Sequence, residues 1–334
     1  MDSAFTGTRV LGRSGVEVSA MGLGCMALGG PWERIHRGGA VFDPGRIDRD
    51  EATRAIHDAI DAGITFFDTA ANYGAGASER MLGAALKGRR DKVVISTKFG
   101  YWVEEATRKT NFYDGDETSE ALVEHIEADC EASLERLQTD WIDLYLFHVN
   151  GFPAEKAHLV LDRLERLVAA GKIRSYGWST NNTDGARVFA EGEHCCAIEH
   201  HLNVMVDAPE MVTFCAEAGL ANIAYSPLAA GLLSGKYSVS NPQSEKDGRG
   251  MGYGKDAARI LGNLEAIREI LTSKGRSLAQ GALAWIWARS CSTIPIPGFR
   301  TFAQVEDNIA AMEAGPLAAD EMKEIEELLR PAER

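Results

Sequence analysis

Short β-branched or aromatic runs alternate eight times with helical patterns along this chain, and that alternation constrains the fold more than any other feature. The runs are 21–24 (MGLG), 65–69 (TFFDT), 92–98 (KVVISTK), 143–148 (DLYLFH), 173–178 (IRSYGW), 196–200 (CAIEH), 222–226 (NIAYS) and 292–296 (STIPI). Between them, apolar residues step by three and four. Val123, Ile126, Cys130, Leu134 and Leu137 share one helix face. Leu159, Leu161, Leu164 and Leu167 follow Pro153, which suits the first turn of a helix. Asp48, with Glu51 three residues later, predicts a helix start.

Repeats of this kind build parallel sheets through right-handed crossovers. Eight of them predict an α/β fold, a (β/α)8 barrel, with one domain covering 1–334. The opening RVLGRSGVEVSAM reads as an N-terminal β-hairpin turning at Arg13-Ser14-Gly15. The tail ADEMKEIEELL reads as a C-terminal extra helix with Met322, Ile325 and Leu329 on one face. An open doubly wound sheet would carry G-x-G-x-x-G after its first strand, and GLGCMALGG lacks that spacing.

Composition narrows the partners. The 35 Lys+Arg against 49 Asp+Glu give a net charge of -14, which disfavours nucleic acid and anionic lipid surfaces. A phosphate-bearing ligand must therefore find a local basic pocket. Six cysteines without a C-x-x-C pair read as reduced thiols buried as small hydrophobes. With no apolar run of about 18 residues, the expectation is a cytoplasmic protein with no membrane partner. His194, Cys195, Cys196, His200 and His201 lack zinc spacing, and neighbours on a strand point to opposite faces, so no metal is expected.

Three long segments, 29–49, 100–117 and 234–256, read as loops after strand C-termini, the face where barrel enzymes hold their sites. Trp32, Tyr101 and Trp102 are the candidate substrate contacts there, with His36, Phe112 and Tyr113 nearby in sequence. Beneath them, polar residues close the strands. The second run ends in Asp68 and is followed by Tyr73, the third ends in Lys98, and the fourth ends in His148. A lysine closing a buried strand needs a partner.

In that order, and within FFDTAANYGAGASERMLGAAL, STKFG, DWIDLYLFH, GWSTNN, AYSPLAAGLL and IPIPGFRTFAQVEDNIAA, these residues make the chain resemble the aldo-keto reductase superfamily from about residue 9 to 330. The resemblance implies a hydride transfer between NADP(H) and a small-molecule carbonyl or alcohol. Hydride delivery leaves negative charge on oxygen, so a proton donor must stand beside it. Tyr73 is then the general acid, Lys98 the cation that eases its deprotonation, Asp68 the partner of Lys98, and His148 the group that orients the carbonyl.

The same resemblance implies the cofactor residues. Gly24, Cys25 and Met26 would lie near the nicotinamide, and Ser179 would hold its carboxamide. Thr180 stands where the family has Asn, with Asn181 one residue on as its substitute. Glu199 stands where the family has Gln; it accepts but, as a carboxylate, cannot donate. Tyr225 would stack on the ring, with Ser226, Leu228 and Gly231 near the pyrophosphate. Gly298, Arg300, Gln304, Asp307 and Asn308 would hold the adenosine end. Arg300 is the only basic residue between Arg289 and Lys323, and so the candidate for the 2′-phosphate that separates NADPH from NADH. Two other activities fit the scaffold: an NAD-linked sugar or polyol dehydrogenase, and a cofactor-binding partner protein resembling potassium-channel β subunits.

Overall fold

In each central strand, every second side chain faces the same side of the sheet, and this places both the core and the site. A computed structural model describes residues 7–45, 47–238, 240–241 and 256–330. It contains eight parallel strands in chain order: β1 (Leu23–Gly24), β2 (Phe66–Asp68), β3 (Val94–Phe99), β4 (Ile142–Phe147), β5 (Ile173–Ser179), β6 (Cys195–His201), β7 (Ala221–Tyr225) and β8 (Thr293–Pro295). Each pairs with its sequence neighbours. The two edges meet: Gly22 N donates to Pro295 O and Gly24 N to Pro297 O, both at 3.0 Å, and Gly24 bridges Gly298. A Cβ on Gly24 would stand 2.9 Å from Ile296 O, so this seam requires glycine. The arrangement is consistent with the expected (β/α)8 barrel, and all eight predicted runs coincide with its strands.

Phe66, Val94, Leu144, Leu146, Ala197, Ala221, Ile223, Ile294 and Ile296 form an apolar cluster inside the curled sheet. Leu11 and Val18 join it from the antiparallel hairpin Thr8–Val10 and Glu17–Ser19, which covers the strands' N-terminal end. Arg13 locks that cover, donating from Nε to Cys195 O (3.1 Å) and from Nη2 to Ala190 O (2.8 Å). The alternate set, including Phe67, Ile95, Phe99, Tyr145, Phe147, Tyr176, Trp178 and Ile198, packs outward in a second apolar layer against the helices.

Those helices are α1 (Arg49–Asp61), α2 (Ala77–Ala85), α3 (Ile126–Leu137), α4 (Ala157–Ala169), α5 (Thr183–Phe189), α6 (Pro209–Ala218), α7 (Ala257–Leu271), α8 (Leu278–Arg289), α9 (Phe302–Ala314) and α10 (Ala319–Leu329). Asp48 caps α1 as predicted, accepting from Asp50 N and Glu51 N at 3.0 Å. The C-terminal α10 buries Ile325 against α7 and α8, with Met322 and Leu329 at the edge of the patch. Arg276 Nη2 fastens it to Glu321 Oε1 at 2.6 Å.

Two of the three expected loops are not irregular. Trp32–Arg34, Ala40–Phe42, Trp102–Glu104 and Lys109–Asn111 form a four-stranded mixed sheet. Arg108 joins its halves, donating to Pro31 O at 2.6 Å and to Gly29 O. The third segment, 234–256, lies mostly outside the described residues. No helix among the described residues is long and apolar enough to cross a membrane.

Candidate active site

The same period of two brings the polar residues together. Phe66 points inward, so Asp68 does too. Val94 carries Ser96 and Lys98 inward, and Leu144 and Leu146 carry His148. Ala197 carries Glu199, and Ile223 carries Tyr225. On these strands the lower inward positions are mostly apolar, Ser96 and Ser175 being small polar exceptions, and the last is polar. The hairpin covers one end of the interior, and these groups stand at the other.

Lys98 lies at the centre, 1% exposed. Its Nζ pairs with Asp68 Oδ2, donates to Thr69 O at 3.0 Å and stands 3.4 Å from Glu199 Oε2. Asp68 and Glu199 are each 2% exposed, so the one cation lies between two buried carboxylates. Burial opposes the Lys98 charge, but Asp68 and then Glu199 outweigh it, and the ammonium is held above its ordinary range. The Lys98 Nζ stands 5.2 Å from the centre of the Tyr73 ring. Burial raises the Tyr73 phenol; Lys98 pulls it down, but Asp68 and Glu199 push it up again. The net direction is upward. This differs from the expected depression, because burial is the largest influence and the pull of Lys98 is offset by two carboxylates.

Tyr73 and His148 meet edge to face, with ring centres 5.9 Å apart. Burial, then Lys98 and His36, hold His148 well below the usual imidazole range, so it is neutral near pH 7. Its Nδ1 has no hydrogen-bond partner among the described residues. Above the pair, Trp32 approaches Tyr73 at 6.3 Å and Tyr101 approaches His148 at 5.5 Å. Phe112 and His36 stack around Tyr101. The small mixed sheet thus forms an aromatic wall over the mouth. Trp102 is the exception: it is 37% exposed and touches none of these rings.

Beside Lys98, Ser179 Oγ donates to Glu199 Oε1 at 3.0 Å. Burial, with Asp68 adding, pushes the Glu199 carboxyl up to about 8 against the pull of Lys98 and Ser179. Thr180 turns away from the mouth, its hydroxyl donating to Asn150 Oδ1 at 3.1 Å. Asn181 takes the exposed place, donating from Nδ2 to the Tyr225 hydroxyl (2.9 Å) and accepting from His201 N (2.9 Å). Tyr225 stacks on His201 at 5.2 Å, and His194 pairs with Glu165 instead of joining His200 and His201.

After Tyr225, the backbone takes the left-handed region at Ser226 (φ 51°), Ala229 (48°), Ala230 (55°) and Gly231 (96°). Three of these four are not glycine, and such strain concentrates at ligand-gripping turns. Leu228 is half-buried at the turn's base. Cys25 is fully buried, its Sγ turned toward Leu23 O at 3.7 Å, so it offers the mouth backbone only; Met26 beside it is partly exposed.

At the far end Gly298 is exposed beside Arg300. Gln304 Oε1 accepts from Arg300 N at 2.8 Å and so caps α9 itself. Arg300 Nη1 donates to Pro44 O at 2.9 Å, an attachment of segment 29–49 that the sequence did not suggest. Asp307 also has a role within the fold. Its oxygens accept from Ser277 Oγ (3.0 Å) and Gln280 Nε2 (2.7 Å), bracing the start of α8. Asn308 is buried in α9.

Residues 20–330 match the model of a family described as the Aldo/keto reductase family. A relative from Glycine max, described as probable aldo-keto reductase 1, is 33% identical over 323 residues, covering 94% of this chain and 86% of its own. The structure of glycerol dehydrogenase AKR11B4 from Gluconobacter oxydans matches with a TM-score of 0.81 at 25% identity, covering 98% of each chain. That of an aldo/keto reductase from Klebsiella pneumoniae in complex with NADP and acetate matches at 0.70 and 26%, covering 98% of this chain and 97% of the other.

Proposed function

The chain belongs to the aldo/keto reductase family, and from that premise we propose that it is an NADP(H)-dependent oxidoreductase acting on the carbonyl of an aldehyde, ketone or sugar. In this reading one closed (β/α)8 domain, residues 1–334, performs the reaction in the cytoplasm. One observation carries it: Lys98 is pinned between two buried carboxylates, with Tyr73 and His148 meeting edge to face above it.

The residues present suit the cofactor at its nicotinamide end. Ser179, Asn181, Glu199 and the half-buried face of Tyr225 offer carboxamide partners and a stacking surface, and Gly24, Cys25 and Met26 offer backbone. The strained turn at Ser226, Leu228 and Gly231 suits a pyrophosphate, and Gly298, Arg300, Gln304 and Asn308 suit the adenosine phosphate. NADPH, when bound, supplies the hydride. The remaining chemistry belongs to the chain. His148, neutral, donates a hydrogen bond that aims the substrate oxygen, and Tyr73 gives its proton to that oxygen as charge develops. Lys98 stabilises the phenolate left behind, and Asp68 keeps Lys98 charged and aimed. Trp32 and Tyr101 shut water from the mouth and face the substrate; Trp102 is withdrawn from that role.

Alcohol oxidation is the second reading, favoured by the likeness to the Gluconobacter oxydans glycerol dehydrogenase. Against it stands the raised Tyr73 phenol, which holds the proton needed for reduction and resists acting as base near neutral pH. A panel of aldehydes, ketones, sugars and polyols, followed at the nicotinamide absorbance with both cofactors in both directions, tests the proposal. Tight cofactor retention without turnover on any of them would instead favour the channel-β-subunit-like partner protein.

Two variants test the adenosine end. Arg300→Ala is expected to raise the KM for NADPH by about tenfold or more and that for NADH little, since one charge-assisted contact is worth roughly 1.5–3 kcal/mol. An equal effect on both would remove Arg300 from the 2′-phosphate. Asp307→Ala is expected to cost about 1 kcal/mol in urea unfolding, through the lost bonds to Ser277 and Gln280. Its KM for NADPH should stay near the wild-type value, and a large rise would restore Asp307 to the cofactor site.

A further inference from the structure

Among the buried groups at the mouth, Glu199 has a charge that the proposed chemistry does not use. It is 2% exposed and comes from β6, next to a lysine that Asp68 already neutralises. Facing it are Asp68 from β2, Tyr73 from the segment after β2, Lys98 from β3, Ser179 from β5 and Tyr225 from β7. Tyr73 and Tyr225 are neutral phenols, both raised by burial. With Asp68, Lys98 and Glu199 all ionised, the cluster holds two negative charges and one positive. With Glu199 protonated, it holds none in excess.

We propose that Glu199 discriminates between the oxidation states of the nicotinamide cofactor: as a carboxylate it favours the cationic oxidised ring, and as a carboxylic acid it favours the neutral reduced one. This rests on the reading of Ser179, Asn181, Glu199 and Tyr225 as the nicotinamide end of the site. The physical reason is charge balance away from water. A single uncompensated charge in a buried cluster is costly, so the cluster binds one proton or takes one cation in its place. Burial and Asp68 raise the Glu199 carboxyl to about 8, which leaves both forms accessible near neutrality. Arrival of the oxidised cofactor drives the step –COOH to –COO⁻ plus H⁺, with the proton released to buffer. Arrival of the reduced cofactor leaves the proton in place. The amide that the family carries at this position has no such proton to give.

Calorimetric titration of the full-length protein with NADP⁺ and with NADPH, each in two buffers of different ionisation enthalpy, reads both affinity and protons released. The 2′-phosphate is common to both ligands, so its own titration cancels in the affinity ratio. In wild type, affinity for NADP⁺ relative to NADPH is expected to rise by up to about tenfold per pH unit between roughly pH 6 and 8. Over that range NADP⁺ binding should release up to about one proton more than NADPH binding. In Glu199→Gln the ratio should vary less than about twofold and the proton difference should vanish. A flat ratio in wild type, or an unchanged slope in Glu199→Gln, would overturn the proposal. If the variant does not fold, the wild-type slope decides alone. Failure of wild type to bind either cofactor form would refute the nicotinamide site itself, a different outcome from a flat ratio with tight binding.

Discussion

Replacing Lys98 by Met is expected to abolish measurable turnover and to destabilise the fold by about 3–5 kcal/mol, the usual cost of stripping one partner from a buried ion pair. The two losses have one origin. Among the described residues, Lys98 is the only cation paired with Asp68 and Glu199, which have almost no access to water. Without it, both buried carboxylates gain from binding protons, and the Glu199 carboxyl, already raised by burial and Asp68, rises further. A carboxyl with a raised folded pKa favours the folded state at low pH and loses that contribution as pH rises through the folded value. The stability of Lys98→Met should therefore fall with rising pH more steeply than that of wild type, which urea unfolding at a series of pH values measures.

A triple variant separates structure from catalysis. Adding Asp68→Asn and Glu199→Gln to Lys98→Met removes the stranded charges and should restore most of the stability. Turnover should stay absent, because nothing then steadies a phenolate at Tyr73. Recovery of activity along with stability would show that Lys98 acts only as a brace.

How much of this the sequence made legible follows from the range of the interactions. The eight strands were readable because most are short β-branched or aromatic runs, buried on two faces, in which the large polar groups of the site stand at the end. That placement also revealed Asp68, Lys98 and His148, and the inward period of two then fixes their convergence. The small mixed sheet was hidden. Its strands are three residues long, interrupted by Gly38-Gly39 and by Arg108 at φ 55°, and it forms by pairing segments about 75 residues apart. Nothing local distinguishes such strands from turns. The brace that Asp307 gives to the start of α8 was hidden for a related reason: its partners Ser277 and Gln280 lie about 30 positions away, and only the fold brings that capping box to it. The sharing of Lys98 between two carboxylates was also invisible, since Glu199 lies 101 positions away in the chain.

Tyr73→Phe is expected to lower kcat for carbonyl reduction by about 10²–10⁴-fold, the usual contribution of a positioned general acid, while leaving the Kd for NADPH within about twofold. The change deletes one oxygen and leaves the ring, so its contacts with Trp32 and His148 persist. The size of the effect depends on whether another group can replace the proton. Among the described residues, Lys98 holds its proton too tightly to give it, and His148, kept neutral by burial beside Lys98, is reluctant to carry a second proton. A neutral imidazole holds the carbonyl well but donates its remaining proton poorly, being left as an anion. If Tyr73→Phe retained kcat within about tenfold of wild type, the acid would have to be a water ordered by His148. A His148→Gln variant would then lose more activity than Tyr73→Phe. If instead the phenol is the acid, His148→Gln should raise KM and lower kcat less than Tyr73→Phe does, because its amide still donates a hydrogen bond to the carbonyl oxygen. The order of the two variants in kcat thus assigns the proton.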